Sequence, residues 1–211
     1  MTQAKPPAKL FNIANILTGF RIVLVPAVLV FLWLVEPESR EVNWLELSPV
    51  SPQGLNQLFC VLAGVLFVLA SLTDLLDGWL ARKYQLVTNL GKLLDPLADK
   101  ILVLGTMVML VELNRLPGWM VVVILARELA ITSLRSIASS EGIVISASQL
   151  GKYKTFFQVL SLAFITIYYP VAGINLYAIG MVFFLVAFFF TLWSGADYFY
   201  RFWSVLKGKS P

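Results

Sequence analysis

Histidine is absent from the 211 residues, cysteine occurs once, and charged residues make up only 13% of the chain. Without histidine the commonest zinc ligand is missing, and the single thiol, Cys60, can neither close an intrachain disulfide nor build a thiolate metal site. The scarcity of charge, set against 59% hydrophobic residues and a mean hydropathy of +0.82, excludes a soluble core of this length. No internal repeat is found, and no nucleic-acid partner is expected. The first hydrophobic run contains Arg21 and Pro26 and has no small-residue cleavage site close behind it, so it is read as a retained anchor rather than a cleaved signal peptide.

What is present is a series of long apolar segments. They predict an all-α integral membrane protein, a six-transmembrane-helix bundle with spans near 12–35, 55–82, 91–113, 117–140, 149–170 and 173–204, each sufficient for a hydrocarbon core of about 30 Å. The reading gives a lead-in over residues 1–11, one membrane domain over 12–204 and a tail over 205–211. An even number of spans places both termini on one side. That side collects Lys5, Lys9, Arg82, Lys83, Lys92, Lys152, Lys154, Lys207 and Lys209, whereas the opposite loops hold Arg40 and Arg115 among Glu36, Glu38, Glu41, Glu46 and Glu112. By the positive-inside rule the termini are cytoplasmic, in the cell membrane, and the long 36–54 connection rests at the outer interface.

Charge inside such segments is expensive and calls for a reason. The sequence concentrates it between Asp74 and Asp99, in DLLDGWLARKYQLVTNLGKLLDPLAD. At 100° per residue Asp74, Asp77, Gly78 and Ala81 share one helix face with Arg82 at its margin, and Gly91, Asp95, Ala98 and Asp99 share a face of the next helix. Small residues among the carboxylates let the two faces approach closely. Four carboxylates in a poorly solvated cavity at the cytoplasmic side repel one another unless cations neutralise them. Oxygen donors without histidine or cysteine favour Mg²⁺ or Mn²⁺ over Zn²⁺, with phosphate oxygens completing the coordination. Gly78 admits a substrate close to the backbone and Arg82 suits a phosphate. The bland alternative is a solvated helix-end cluster pairing Asp74 and Asp77 with Arg82, Lys83 and Lys92.

The pattern Asp74-x-x-Asp77-Gly78-x-x-Ala81-Arg82, eight residues, then Gly91-x-x-x-Asp95-x-x-x-Asp99 resembles the signature of the CDP-alcohol phosphatidyltransferase family without a mismatch. The resemblance implies that Asp74, Asp77 and Asp95 bind two divalent cations, Mg²⁺ or Mn²⁺, and that Asp99 completes the metal cluster and serves as catalytic base. It also places Asp74, Gly78, Ala81 and Arg82 against the cytidine diphosphate part of CDP-diacylglycerol. Asn15, Thr18 and Arg21, at i, i+3 and i+6, look like an opening helix that borders the active site in this family. As plain chemistry the same residues also cap a helix start and snorkel.

Further along, Arg127-Glu128, Arg135 and then Gly151-Lys152-x-Lys154-Thr155-x-x-Gln158 resemble the glycerol-phosphate-using branch of the family. Arg21, Arg127, Arg135, Lys152, Lys154 and Thr155 are accordingly the candidates to hold glycerol 3-phosphate, Lys152, Lys154 and Thr155 lying at a helix start that receives a phosphate well. A structural ion pair between or beside Glu128 and Arg135, seven residues apart on nearly one face, is the alternative. The implied reaction gives phosphatidylglycerophosphate and CMP, in contact with membrane lipids, and a homodimer is common in the family. Sister activities with another acceptor, such as cardiolipin or phosphatidylinositol phosphate synthesis, share much of this pattern. An ion-coupled transporter is the rival from another class, but its site belongs near the bilayer midplane between repeats.

Overall fold

The computed structural model describes residues 13–37, 54–84, 89–140 and 149–206, with side chains described for 19–37, 54–76, 98, 100–140 and 150–204. The lead-in over 1–11, most of the 36–54 connection and the tail beyond Leu206 lie outside the described residues. Six helices are found among those described: α1 (Ile13–Trp33), α2 (Gly54–Tyr84), α3 (Asn89–Glu112), α4 (Gly118–Ser140), α5 (Gln149–Ile167) and α6 (Leu176–Leu206). Their bounds fall within three residues of those that hydropathy predicts. The two largest shifts flank one turn, since α5 stops at Ile167, where Tyr168 turns into the left-handed region (φ 65°) and Pro170 follows, and α6 starts only at Leu176.

The fold is all-helical, and α2 and α6 contain stretches, Gly54–Leu76 and Leu176–Ser204, that are long and apolar enough to cross a membrane. Apolar residues occupy both sides of these helices. Leu24, Val25, Val28 and Leu32 of α1 meet Cys60, Ala63, Phe67 and Ala70 of α2 and Leu102, Met107 and Leu110 of α3 in a buried core, while Val23, Trp33, Leu75, Val122, Phe156, Trp193 and Tyr200 point outward. Helices apolar all round need apolar surroundings.

Two glycines set how closely the helices approach. A Cβ on Gly180 of α6 would lie 3.0 Å from the backbone nitrogen of Ile165 in α5, and one on Gly64 of α2 would lie 2.4 Å from Ile167 Cγ1. These contacts pull α2, α5 and α6 together, with α1 packed on α2 and α3 and α4 packed on α6.

At the end of the bundle formed by the α3–α4 and α5–α6 turns, Arg115, expected as an outer-loop charge, is buried instead. Its Nη1 and Nη2 each lie 3.3 Å from the Cys60 sulfur, Nη1 donates to the Thr166 carbonyl at 3.4 Å, and the guanidinium lies 3.8 Å from the centre of the Tyr168 ring. Tyr177 donates its hydroxyl to the Arg115 carbonyl at 3.4 Å. The side chain thereby ties α2, the α3–α4 turn and both sides of the α5–α6 turn to one another. Nearby, the Asn56 amide exchanges two hydrogen bonds with the Glu36 backbone, at 3.2 and 3.3 Å, and so clasps the two ends of the long connection.

Arg115→Ala is expected to destabilise the protein by about 2–4 kcal/mol, the scale of a desolvated cation–π contact plus charge-assisted hydrogen bonds. In a thermal melt this appears as a Tm lower by several degrees. Cys60, fully buried in the wild type, should react with a maleimide only on unfolding there but in the native state of the variant. An unchanged Tm with an unlabelled thiol would remove Arg115 from this role.

Candidate active site

The acidic signature lies where α2 ends and α3 begins. Asp74, Asp77, Gly78, Ala81 and Arg82 occupy the last turns of α2, and Gly91, Asp95 and Asp99 the first turns of α3, with only residues 85–88 between the two helices. Five Cα steps from Tyr84 to Asn89 span at most about 19 Å, so the two acid-bearing ends are forced to the same end of the bundle. The side chains of Asn15, Thr18, Asp77, Ala81, Arg82, Asp95 and Asp99 lie outside the described ones.

Asp74 is described, and it has a partner from another helix. Nη1 of Arg21, in α1, lies 2.7 Å from Asp74 Oδ1; the arginine is fully buried while the carboxylate is 40% exposed. One half of the pair is thus desolvated and the other faces outward, an arrangement that orients the carboxylate without removing it from a ligand. Arg21 is thereby brought to the acidic end of α2.

That second group spans four helices. Glu128 of α4 accepts on Oε1 both from Nη1 of Arg127, at 2.9 Å, and from Nζ of Lys154 in α5, at 2.5 Å. Arg127 Nη2 donates to the Ser194 hydroxyl of α6 at 2.8 Å. Lys100, next to Asp99 in α3, donates to the Thr132 hydroxyl of α4 at 2.7 Å, and Thr132 donates in turn to the Glu128 carbonyl at 2.7 Å. Arg135 does not reach Glu128, because its guanidinium lies 5.4 Å from the centre of the buried Tyr198 ring of α6. Thr155 turns its hydroxyl to the Gly151 carbonyl one turn back, at 3.1 Å, and Lys152 is exposed.

Sequence reasoning missed Lys100, Thr132, Ser194 and Tyr198. Ser194 interrupts an aromatic run in α6, and that interruption is its only signal, while Tyr198 is one aromatic among many there. Lys100 directly follows the acidic signature, yet its partner lies 32 residues away in another helix.

The model of the CDP-alcohol phosphatidyltransferase family matches residues 11–193. The CDP-diacylglycerol--glycerol-3-phosphate 3-phosphatidyltransferase of Bacillus subtilis is 39% identical over 207 residues, covering 94% of this chain and 98% of the relative. The protein of that name in Rickettsia typhi is 33% identical over 189 residues, covering 89% and 95%. A probable phosphatidylglycerophosphate synthase of Mycobacterium tuberculosis is 36% identical over 191 residues, covering 90% and 81%. The chain belongs to the CDP-alcohol phosphatidyltransferase family. The family is membrane-associated and generally uses divalent metal ions, and the donor set fits such an ion. The signature offers carboxylate oxygens alone, and the one sulfur of cysteine is held by Arg115 on α2 far from the Asp74 end of that helix.

The Arg21–Asp74 pair predicts non-additive stability effects. In a double-mutant cycle, Arg21→Met, Asp74→Asn and the double variant are expected to show a coupling of about 0.5–3 kcal/mol, because each single change already removes the contact between the two charges. Strictly additive melting shifts would mean that the two side chains do not stabilise one another.

Proposed function

We propose that this protein transfers the phosphatidyl group of CDP-diacylglycerol to glycerol 3-phosphate, giving phosphatidylglycerophosphate and CMP. The observation that carries the reading is the complete acidic signature from Asp74 to Asp99, folded back across a four-residue link at one end of the bundle. The names of the relatives support the same donor and acceptor.

Residues 12–204 form one membrane domain of six spans, between the lead-in and the tail. The termini and the active-site cavity face the cytoplasm, and the outward apolar side chains contact membrane lipids. The charge asymmetry between the two ends, the two long apolar stretches and the apolar exterior support this topology. As in other members of the family, the functional unit is a homodimer.

The acceptor hydroxyl attacks the phosphorus on the diacylglycerol side, the bond from that phosphorus to the bridging pyrophosphate oxygen breaks, and CMP leaves. Asp99 takes the hydroxyl proton. Two divalent cations, Mg²⁺ or Mn²⁺, held by Asp74, Asp77, Asp95 and Asp99, would supply neutralisation of the pyrophosphate charge and of the departing CMP. Gly78, Ala81 and Arg82, with Asp74, Asn15 and Thr18, hold the nucleotide end of the donor. Arg21, Arg127, Arg135, Lys152, Lys154 and Thr155 hold the acceptor phosphate, Arg21 from the side of Asp74, with which it is paired.

The test offers purified protein CDP-diacylglycerol and Mg²⁺ or Mn²⁺ with glycerol 3-phosphate, inositol 1-phosphate, serine or phosphatidylglycerol. CMP release with the first alone is expected; release only with another acceptor assigns a sister activity. Asp77→Asn and Asp95→Asn should abolish release while the protein still inserts into membranes, and wild-type rates in either would refute the two-metal site. Lys152→Ala should raise KM for glycerol 3-phosphate far more than KM for CDP-diacylglycerol. If the contact persists into the transition state, a charge-assisted hydrogen bond of roughly 1.5–3 kcal/mol corresponds to about a 10- to 150-fold loss of kcat/KM. Equal damage to both substrates would take Lys152 out of the acceptor site.

A further inference from the structure

Resting on the reading of Arg127 and Lys154 as acceptor-phosphate ligands, we infer that Glu128, together with Ser194 and Gly195 of α6, is the positioning element of that site. The Glu128 carboxylate draws two cations from different helices onto one oxygen, Arg127 at 2.9 Å and Lys154 at 2.5 Å, and all three side chains are largely buried. A carboxylate that served only to neutralise a buried charge needs one partner. Here two cations meet one anion, and Arg135 lies one turn beyond Thr132 on the same face of α4, its guanidinium held over Tyr198. Two cations brought side by side onto one carboxylate oxygen form a grouping that suits a phosphate monoester.

Arg127 is fixed more firmly than an ion pair alone requires. Its Nη1 is taken by Glu128 and its Nη2 by Ser194, while Nε is buried with no hydrogen-bond partner among the described residues. The reason is the seat on α6. A Cβ on Gly195 would lie 3.2 Å from Arg127 Cγ and 3.4 Å from Nε, so any side chain there would push the arginine stem a few tenths of an ångström away from the helix backbone. A buried donor left unpaired is a cost that a merely structural arginine would avoid by swinging away. Held on both sides, Arg127 keeps the second N–H of each terminal nitrogen for an incoming oxygen, in the planar geometry that suits phosphate. The α6 residues Ser194 and Gly195, in a stretch that reads as lipid-facing, thus act on the acceptor through Arg127.

Steady-state kinetics on the purified full-length protein with CDP-diacylglycerol, glycerol 3-phosphate and the divalent ion tests this. Glu128→Gln keeps the shape but not the charge and is expected to raise KM for glycerol 3-phosphate at least tenfold, with KM for CDP-diacylglycerol within twofold of wild type. Gly195→Ala should move KM for glycerol 3-phosphate several-fold in the same direction, and competitive inhibition by inorganic phosphate should weaken in both variants. Parallel rises in both KM values, or a lower Tm and kcat with KM for glycerol 3-phosphate unchanged, would show a structural pair and overturn the inference. If Glu128→Gln does not fold, Gly195→Ala and the phosphate inhibition decide alone. If the wild type uses a different phosphorylated acceptor, the glycerol 3-phosphate reading fails, and the same split read on that acceptor still supports or overturns the positioning role. A wild type that turns over only acceptors without phosphate overturns both.

Discussion

A charge placed inside a bundle of apolar helices has to be matched there, because little water reaches it and the helix backbones have no spare donors or acceptors to offer. Much of the arrangement of these six helices follows from how that demand is met. Arg21 is matched by Asp74 across α1 and α2, Arg127 and Lys154 by Glu128 across α4 and α5, Lys100 by a hydroxyl across α3 and α4, and Arg115 by a thiol, a carbonyl and a ring across the turns. Each match joins segments that hydrophobic contact alone would leave free to slide, since one apolar face packs against another in many registers. The charges thereby specify a register at some cost in stability, a role for which buried polar groups are well suited.

The two ends of the bundle meet this constraint differently. At the turn end, Arg115 is enclosed by neutral or weakly polar groups, and Tyr168 adopts a left-handed backbone to bring its ring against the guanidinium. The strain and the burial are spent on closing the fold. At the other end Asp74 is paired with Arg21, Glu128 is shared by Arg127 and Lys154, and the Glu128 group is tied to α3 by Lys100 and Thr132. Ion pairs that bridge helices fix the relative positions of those charged groups on the frame of the bundle.

Much of this was legible in the chain before any coordinates. Six apolar segments of spanning length leave few alternatives to six helices, and the acidic signature, with small residues at helical spacing, marks one end of two of them. What could not be read is who pairs with whom. Arg115 reads as a loop charge because nothing near it in sequence predicts Cys60, 55 residues earlier, or Tyr168. Glu128 and Arg135 share a face and read as a pair, yet each finds a partner on another helix, because on one helix side chains three or four residues apart are neighbours whereas side chains seven apart are two turns away from each other. The aromatic run of α6 hides Ser194 and Gly195 for a related reason: their meaning lies in Arg127, 67 residues before Ser194.

The glycines show the same division between what spacing predicts and what packing decides. Gly78 and Gly91 belong to the signature and are recognisable by position. Gly64, Gly180 and Gly195 follow no motif, and their roles emerge only from what stands opposite: an isoleucine side chain, the α5 backbone, and the stem of Arg127. The first two set the distance between helices and so the depth of the core. The third sets the position of a charged group, which joins α6 to the cluster of Arg127, Glu128 and Lys154 even though the recognisable motifs end at residue 158. A helix whose sequence reads as apolar surface alone can in this way determine where a cation stands, by lacking a side chain at one place and offering a hydroxyl one residue earlier.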